Sequence, residues 1–300
     1  MKENYKSVLI LVILCLFLIT CLFHVNPVIN EILRYTTLFF KRVFPSSFLF
    51  LMISSLLIDY QFVFFIQKLF KMNSTYLYVF IFSLISGFPS GAFITRELFL
   101  KKEIDDDMAN KIMMYSHFPN PLFVISSISV ILGNIYESIY LLLSIIISNF
   151  IIFMWIPKKD YYHQKTPDFP SSFISCLQNS ILHSLRTILI IYGISISFNM
   201  IVFTFLTLIP LKNYLSVLLS GLFDLTRGVF LLSMVSSSFI KRFFLLLFFS
   251  FGSLSIHMQT KSILSDTPIR YHSYLLGRII GFSISFFIYA LMIFVCNILN

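Results

Sequence analysis

Apolar runs of up to about 20 residues recur along this chain from one end to the other, which is the length needed to cross a membrane as a helix. A soluble protein has about a quarter of its residues charged, whereas here 12% are charged and 58% are hydrophobic. The sequence therefore predicts an all-α polytopic membrane protein whose surroundings are a lipid bilayer. The apolar runs are at about Val8–Phe23, Tyr35–Ile58, Tyr76–Phe93, Leu122–Leu132, Ile135–Ile156, Leu185–Ile209, Tyr214–Ile240, Phe243–Ile256 and Tyr274–Ile298.

Basic residues outnumber acidic ones by 22 to 13, which gives a formal net charge of +9. Most of them lie in short segments beside apolar runs, a pattern that orients membrane helices, so we predict no nucleic-acid partner. The first run lacks a small-residue cleavage site and is expected to remain as a span. Lys2, Lys6 and the lysines that follow Ile156 are expected on the cytoplasmic side. The four cysteines are scattered, which predicts no disulfide framework, metal site or cofactor.

The polar stretch 157–183, rich in lysine and proline, is predicted to link an N-terminal membrane half (1–156) to a C-terminal one (184–300). The two halves show a weak internal repeat when the sequence is shifted by 165 residues. Transporters commonly contain such repeats and bind substrate at the repeat interface. The shift aligns Pro45 with Pro210, Ser55 with Ser220, Asp59 with Asp224, Gly87 with Gly252, Ser90 with Ser255 and Thr95 with Thr260.

The first candidate site is the motif Ser86-Gly87-Phe88-Pro89-Ser90-Gly91-Ala92 inside the segment 83–95. Pro89 removes a backbone donor and the glycines relax the chain, so we predict a broken helix that lines a cavity. The alternative is a helix-packing contact made by Gly87 and Gly91.

The second candidate is the segment that contains Asn120 between two prolines, where regular helix is not expected. Asn120 would offer hydrogen bonds in a cavity, and a plain loop is the alternative. The acidic triplet 105–107 upstream of it is predicted to cap a helix N-terminus at the surface.

The third candidate is an ion pair between Asp224 and Arg227, three residues apart near the middle of an apolar run. A charged side chain at the bilayer centre costs at least about 2.5 kcal/mol, so such residues are usually functional. We predict that Arg227 is a counter-charge for a substrate carboxylate and that Asp224 orients it. A purely structural salt bridge is the alternative.

The fourth candidate lies in the segment 250–264, which aligns with the first motif in the repeat. There Ser253, Ser255, His257 and Gln259 alternate with apolar residues, which favours an extended or unwound stretch with one wet side. His257 is predicted to be a hydrogen-bonded contact and not a catalytic group.

These motifs resemble those of the sporulation integral membrane proteins of the YlbJ/SpoVV type, which carry the nucleoside-recognition gate domain. Phe88, Phe93 and His257 stand where that family tends to have Tyr, Lys and Gln. The resemblance implies paired re-entrant helices around a central site, similar to the gate domains of concentrative nucleoside transporters. It also implies transport of dipicolinic acid into the forespore, across a membrane around the developing spore. The matching stretches are 44–47, 86–92, 121–123, 219–224, 250–264 and 266–270.

Together, the residues and the resemblance predict a transporter of a small organic anion. The sequence contains no H-E-x-x-H, G-x-S-x-G, P-loop, C-x-x-C or G-x-G-x-x-G motif, so we do not expect an enzyme. A nucleoside or nucleobase transporter and a non-transporting sporulation scaffold are the alternatives. Homo-oligomers and contacts with other sporulation membrane proteins are left open. The predicted substrate-binding residues are Ser86, Gly87, Pro89, Ser90, Gly91, Asn120, Asp224, Arg227, Ser253, Ser255, His257 and Gln259.

Overall fold

A computed structural model describes residues 2–62, 74–158, 172–211 and 214–299, and this part of the chain is helical without strands. Two π-helical turns, Phe39–Val43 and Leu247–Phe251, extend α2 and α12 respectively. We number the α-helices as α1 (Lys2–Phe23), α2 (Val25–Leu38), α3 (Phe44–Asp59), α4 (Ser74–Ser86), α5 (Ser90–Leu100), α6 (Asp106–Tyr115), α7 (Pro121–Leu132), α8 (Ile135–Trp155), α9 (Phe173–Leu208), α10 (Tyr214–Phe223), α11 (Leu225–Leu232), α12 (Ser238–Leu246), α13 (Leu254–Ile263) and α14 (Tyr271–Leu299).

Four segments of the described residues are helical, long and apolar enough to cross a membrane. They are Ile135–Trp155, Phe173–Leu208, Ser238–Ile263 and Tyr271–Cys296. Leu14–Phe23 and Val25–Lys41 would make a fifth span if counted together, although they meet at an angle of 101°. The prediction of an all-α polytopic membrane protein is therefore confirmed.

Two pairs of short helices fold back on themselves. Helix α4 packs against α5, and α10 packs against α11. At 1.5 Å per residue, none of the four exceeds about 20 Å, which is less than the roughly 30 Å of a bilayer core. Gly228 lets α10 and α11 approach closely, because a Cβ there would lie 2.2 Å from the Cα of Gly221. The predicted single run Tyr214–Ile240 is thus a helical hairpin whose tip is Asp224.

The segment around Gly252 behaves differently. The span Ser238–Ile263 continues across Gly252 and Ser253, so the helix is interrupted there without turning back. The prediction of an extended stretch from Ser253 to Gln259 is wrong, because α13 begins at Leu254. At the interruption Gly252 has a positive φ of 95° and Ser253 is extended, and the amides at the start of α13 are left without helical partners.

Two apolar clusters form the interior of the described helices. The first joins α2, α3, α4, α5 and α6 with parts of α8, α9 and α13, and includes Tyr35 and Ile191. The second joins α7, α8, α10, α11 and α12 with α14, and includes Leu225 and Phe249. The two predicted halves of the chain therefore share both clusters, and α9 packs along α3 on one side and α13 on the other.

The linker predicted at 157–183 falls mainly on residues 159–171, which lie outside the described residues. Helix α9 begins at Phe173, with Ser172 as its N-cap, so the last part of the predicted linker is helical. The acidic triplet caps α6 as predicted, since Asp105 accepts a hydrogen bond of 2.7 Å from the backbone N–H of Met108.

Candidate functional site

A cavity of about 80 Å³ lies where the two apolar clusters meet. A water molecule needs roughly 10–15 Å³ in such a cavity, so the volume suits several waters or one small planar molecule. Its walls come from helix interruptions and from the α10–α11 hairpin tip. The lining residues are Tyr35, Phe39, Val43, Ser47, Phe88, Pro119, Asn120, Phe123, Ile191, Ser195, Asp224, Leu225, Thr226, Phe249, Ser255, Ile256 and Gln259.

Four of the predicted site residues line this cavity, and they come from three different segments: Asn120, Asp224, Ser255 and Gln259. The other eight predicted residues do not line it. These are Ser86, Gly87, Pro89, Ser90, Gly91, Arg227, Ser253 and His257. The first motif still reaches the cavity, because Phe88, between Gly87 and Pro89, forms part of the wall.

Asn120 contributes a free donor to the cavity. Its Oδ1 caps α7 by accepting hydrogen bonds from the backbone N–H groups of Leu122 at 3.0 Å and Phe123 at 3.2 Å. Because an amide oxygen accepts and an amide nitrogen donates, these two bonds fix which end of the side chain is the oxygen. The other end, Nδ2, is buried and has no hydrogen-bond partner within the described residues. A buried amide group without a partner is costly, and a ligand in the cavity would satisfy it.

Asp224 is the one acidic residue among those that line the cavity, and its exposed fraction is 1%. It is the N-cap of α11, because its Oδ1 accepts from the backbone N–H of Arg227 at 3.0 Å. Its Oδ2 accepts from the hydroxyl of Tyr35 at 3.0 Å and that of Ser255 at 3.2 Å. One carboxylate thus joins α2, α11 and α13 at the cavity wall.

The guanidinium of Arg227 pairs with Glu31 and not with Asp224, which corrects the predicted ion pair. Its Nη1 donates to Oε1 of Glu31 at 2.5 Å and contacts Oδ1 of Asn199 at 3.4 Å. Arg34 donates to both carboxylate oxygens of Glu31, at 2.6 and 2.9 Å. The reason is geometric: Asp224 precedes the first turn of α11, so its side chain is occupied by the helix N-terminus.

The glycines of the first motif are required by close packing. Gly87 has a φ of 79°, and a Cβ there would lie 2.6 Å from the backbone nitrogen of Asn120. A Cβ on Gly91 would lie 1.7 Å from the carbonyl oxygen of Ser116. The peptide bond before Pro89 is cis, and the hydroxyl of Ser90 donates to the carbonyl of Gly87. The hairpin tip thereby packs directly on the segment that presents Asn120.

The polar residues of the fourth candidate hydrogen-bond to one another and to neighbouring elements. The hydroxyls of Ser253 and Ser255 are 2.9 Å apart, and Gln259 donates to Ser195 of α9 at 2.7 Å. The ring nitrogens of His257 contact the Tyr271 hydroxyl at 2.7 Å and the carbonyl of Phe251 at 3.1 Å. The side chain of His257 is therefore hydrogen-bonded, as predicted, at a position outside the cavity lining.

Arg278 is a buried charge that the sequence analysis missed. It is 1% exposed, and no carboxylate pairs with it within the described ranges. Its Nη1 donates to the carbonyls of His117 at 2.9 Å and Ser250 at 3.3 Å, and its Nη2 to Oδ1 of Asn149 at 2.9 Å. His117 lies in the break between α6 and α7, and Ser250 lies in the π turn just before Gly252, so Arg278 ties both interruptions to α14. Arg278 could have been noticed in the sequence, because it is a charged residue inside the apolar run Tyr274–Ile298.

An ion pair at the far end of α5 links the two segments predicted as repeats. Arg96 donates through Nε and Nη2 to the carboxylate of Asp266, in the connection that follows α13. This hydrogen-bonded pairing lowers the pKa of Asp266 below its ordinary value. The link fixes α5 and α13 relative to each other on one side of the cavity.

Helix N-termini give the cavity a donor-rich character. The cavity contains residues from the first turns of α7, α11 and α13, and helix N-termini favour negative charge. No group of three or more histidine, cysteine or acidic residues arranged for a metal occurs among the described residues. The arrangement is suited to binding a small polar solute through hydrogen bonds between aromatic walls.

Comparison with known proteins shows a similarity to a sporulation protein. The chain is 25% identical to the sporulation integral membrane protein YlbJ of Bacillus subtilis over 294 aligned positions, covering 81% of this chain and 72% of YlbJ. The resemblance indicated by the motifs is confirmed by this similarity. No protein-family model matches the chain, and no solved structure matches it.

Proposed function

We propose that this chain transports a small organic anion across a membrane of the sporulating cell, and that the substrate is dipicolinic acid moved into the forespore. The observation that carries the proposal is the cavity at which an interrupted helix, two helical hairpins and the Asn120 segment meet. Unwound backbone at membrane depth is tolerated where it lines a water-filled cavity, and transporters bind their substrates at such places.

The donors around the cavity support an anionic substrate. The unpaired Nδ2 of Asn120 can donate to a carboxylate, and the N-termini of α11 and α13 add a favourable dipole. The role predicted for Arg227 as a direct counter-charge is replaced, because that side chain is paired with Glu31. The similarity to YlbJ, whose name describes a sporulation integral membrane protein, supports the cellular setting.

We infer further that the two halves are related by an inverted or parallel repeat, as in many transporters. Helix α4 ends at Ser86 and the π turn after α12 ends at Phe251, which is the same shift of 165 residues found in the sequence. Gly87 and Gly252 follow these ends, and both have a positive φ, of 79° and 95°. The matching positions and φ angles of the two interruptions support the repeat, although the chain turns back after Gly87 and continues across Gly252.

A nucleoside or nucleobase is a second candidate substrate, because the chemistry of the cavity also suits a neutral heterocycle. Asn120 and Gln259 offer amides, and Phe88, Phe123 and Phe249 provide aromatic walls. Aromatic surfaces stack well on planar rings. Dipicolinic acid and a nucleobase share this planar shape and differ in charge, so a direct comparison separates them.

The test is uptake of radiolabelled dipicolinate and uridine into proteoliposomes that contain the purified protein. Ile191 lines the cavity and is 3% exposed, so Ile191→Trp should fill the cavity and abolish uptake. Ile190, its neighbour on α9, is 37% exposed and does not line the cavity, so Ile190→Trp is the matched control and should leave uptake intact.

Three outcomes are informative. Dipicolinate uptake that Ile191→Trp abolishes would support the proposal, and spores of that variant should then have a low dipicolinate content. Uptake of uridine alone would favour the second candidate. Absence of uptake for both compounds in the wild-type protein would refute transport and favour the scaffold, which predicts normal spores from Ile191→Trp.

A further inference from the structure

The carboxylate of Asp224 lies at the wall of a cavity that we propose binds an anion. The negative charge of Asp224 would oppose binding of that anion unless the charge is neutralised. Asp224 is 1% exposed and accepts three hydrogen bonds, from Tyr35, Ser255 and the backbone N–H of Arg227. No ion pair with a lysine, arginine or histidine side chain is formed by Asp224 among the described residues. Two like charges placed close together in a buried site repel strongly.

The charged groups that face Asp224 form a balanced set. Glu31 and Arg34 are on α2, and Arg227 is on α11, where its guanidinium bonds Glu31. With Asp224 ionised, the set has two carboxylates and two guanidiniums, so its net charge is zero.

The other elements packed against Asp224 bring no further charge to it. Helix α9 contributes the neutral Ser195 and Asn199 on this side. Helix α13 contributes Ser255, while its His257 is hydrogen-bonded to Tyr271 and Phe251. The phenol of Tyr35 on α2 donates to Asp224 and is a second titratable group in contact with it.

A substrate carboxylate in the cavity would give this balanced set an excess negative charge in a region of low dielectric constant. A proton on Asp224 offsets one substrate carboxylate, because the set then has a net charge of +1. The second carboxylate of dipicolinate would be met by Nδ2 of Asn120 and the helix N-termini at the cavity. Burial of an uncompensated charge is much more costly than burial of a neutral set. Substrate and proton therefore favour each other's binding.

We propose that Asp224 takes up one proton from solvent for each substrate anion bound, so that the chain is a proton-coupled anion transporter. This inference rests on the proposed function. The proton resides on a carboxylate oxygen of Asp224 in the loaded state and is released with the substrate on the other side. The hydroxyl of Ser255 can reorient to accept from the protonated carboxyl of Asp224 and to donate its own proton to the hydroxyl of Ser253, 2.9 Å away.

The test uses the purified full-length protein in proteoliposomes with the membrane potential clamped at zero. An inside-alkaline gradient of one pH unit should concentrate labelled dipicolinate about tenfold, since one proton accompanies each substrate. Asp224→Asn keeps the helix cap and resembles the protonated side chain in shape. This variant should still exchange labelled for unlabelled dipicolinate, and the gradient should produce no accumulation.

The matched control is Asp59→Asn. Asp59 aligns with Asp224 in the repeat, pairs with Lys101 and does not line the cavity. This control should retain the tenfold accumulation.

Tyr35→Phe is a second test variant, in which the carboxylate of Asp224 is kept. The substitution removes one hydrogen bond that stabilises the ionised form of Asp224. Protonation of Asp224 then becomes easier, and the pH at which uptake is half-maximal should move upward.

The outcomes distinguish the coupling from transport itself. The role of Asp224 would be overturned if Asp224→Asn accumulates dipicolinate as the wild type does, or if wild-type uptake does not respond to the pH gradient. In either case the proposed transport would be unaffected. If the wild-type protein takes up no dipicolinate, the proposed function fails and this inference fails with it. If Asp224→Asn does not fold, an unchanged pH profile in Tyr35→Phe overturns the inference and an upward shift supports it.

Discussion

The packing of the α4–α5 hairpin gives a quantitative prediction for Gly91→Ala. A Cβ at this position would lie 1.7 Å from the carbonyl oxygen of Ser116, whereas real Cβ contacts almost never fall below 3.0 Å. The hairpin or the Ser116 segment would have to move by at least 1.3 Å, the difference between these distances. Neither partner is a flexible side-chain end, so relaxation requires movement of backbone.

Overpacking of a well-packed interior costs about 1–3 kcal/mol, and a clash with backbone belongs at the upper end of that range. Alanine gains about 0.5–1 kcal/mol over glycine within a helix, which offsets part of the cost. We therefore expect Gly91→Ala to lower the free energy of unfolding by about 2 kcal/mol, the difference between these two effects. The displaced hairpin tip should also move Phe88 at the cavity wall and reduce uptake.

The assay is reversible unfolding in mixed micelles by titration with a denaturing detergent. Gly193→Ala is the matched control, because Gly193 is also helical and a Cβ there has no neighbour within 4 Å. The control should be as stable as the wild type or more stable. If Gly91→Ala matches the control in both stability and uptake, the close approach between the hairpin and Ser116 is refuted.

Three further predictions concern charged groups. Arg278→Met should lower the free energy of unfolding by about 2–4 kcal/mol, as unfolding measurements would show. The substitution removes the Arg278 donor from the buried carbonyl of Ser250 and from Oδ1 of Asn149, and leaves the carbonyl of His117 with Nδ2 of Asn149 as its side-chain donor. Glu31→Gln should destabilise by about 3–5 kcal/mol by leaving Arg34 and Arg227 without a carboxylate, and a double-mutant cycle with Arg227→Gln should recover part of the loss. The contribution of the Arg96–Asp266 pair should be fully present above about pH 4 and be lost as the pH falls through the lowered pKa of Asp266. Asp266→Asn should abolish this acid-dependent loss in a pH series of thermal unfolding curves.

The helix interruptions could be predicted from the sequence because their cause is local. Pro89 cannot donate a backbone hydrogen bond, and Asn120 lies between two prolines, so each position breaks a helix in any surroundings. The caps formed by Asp105 and Asn120 follow from the same short-range chemistry. Of the four predicted residues that line the cavity, Asn120 does so at a predicted break, since interrupted backbone at membrane depth lies beside polar surroundings.

The partners of the buried charges could not be predicted, because they depend on the packing of distant helices. Arg227 and Glu31 are separated by 196 positions in the chain. In a membrane chain the apolar residues surround each helix, so hydrophobic periodicity does not indicate which face meets a neighbour. The hairpin at Asp224 was missed for a related reason, since a turn capped by one aspartate leaves little trace in an apolar run.

The pairing of Arg227 with Glu31 changes what the cavity can do, and it does so through charge balance. A free arginine at the wall would bind an anion in every state and would hold it tightly, which hinders release. Here Arg34 and Arg227 both bond Glu31, and the charge of Asp224, which lines the cavity, brings the net charge of the set to zero. Under the proposed coupling, the affinity for an anion depends on whether Asp224 carries a proton. Binding on one side and release on the other can follow from a change in one carboxyl group, without breaking the ion pair that holds α2 to α11.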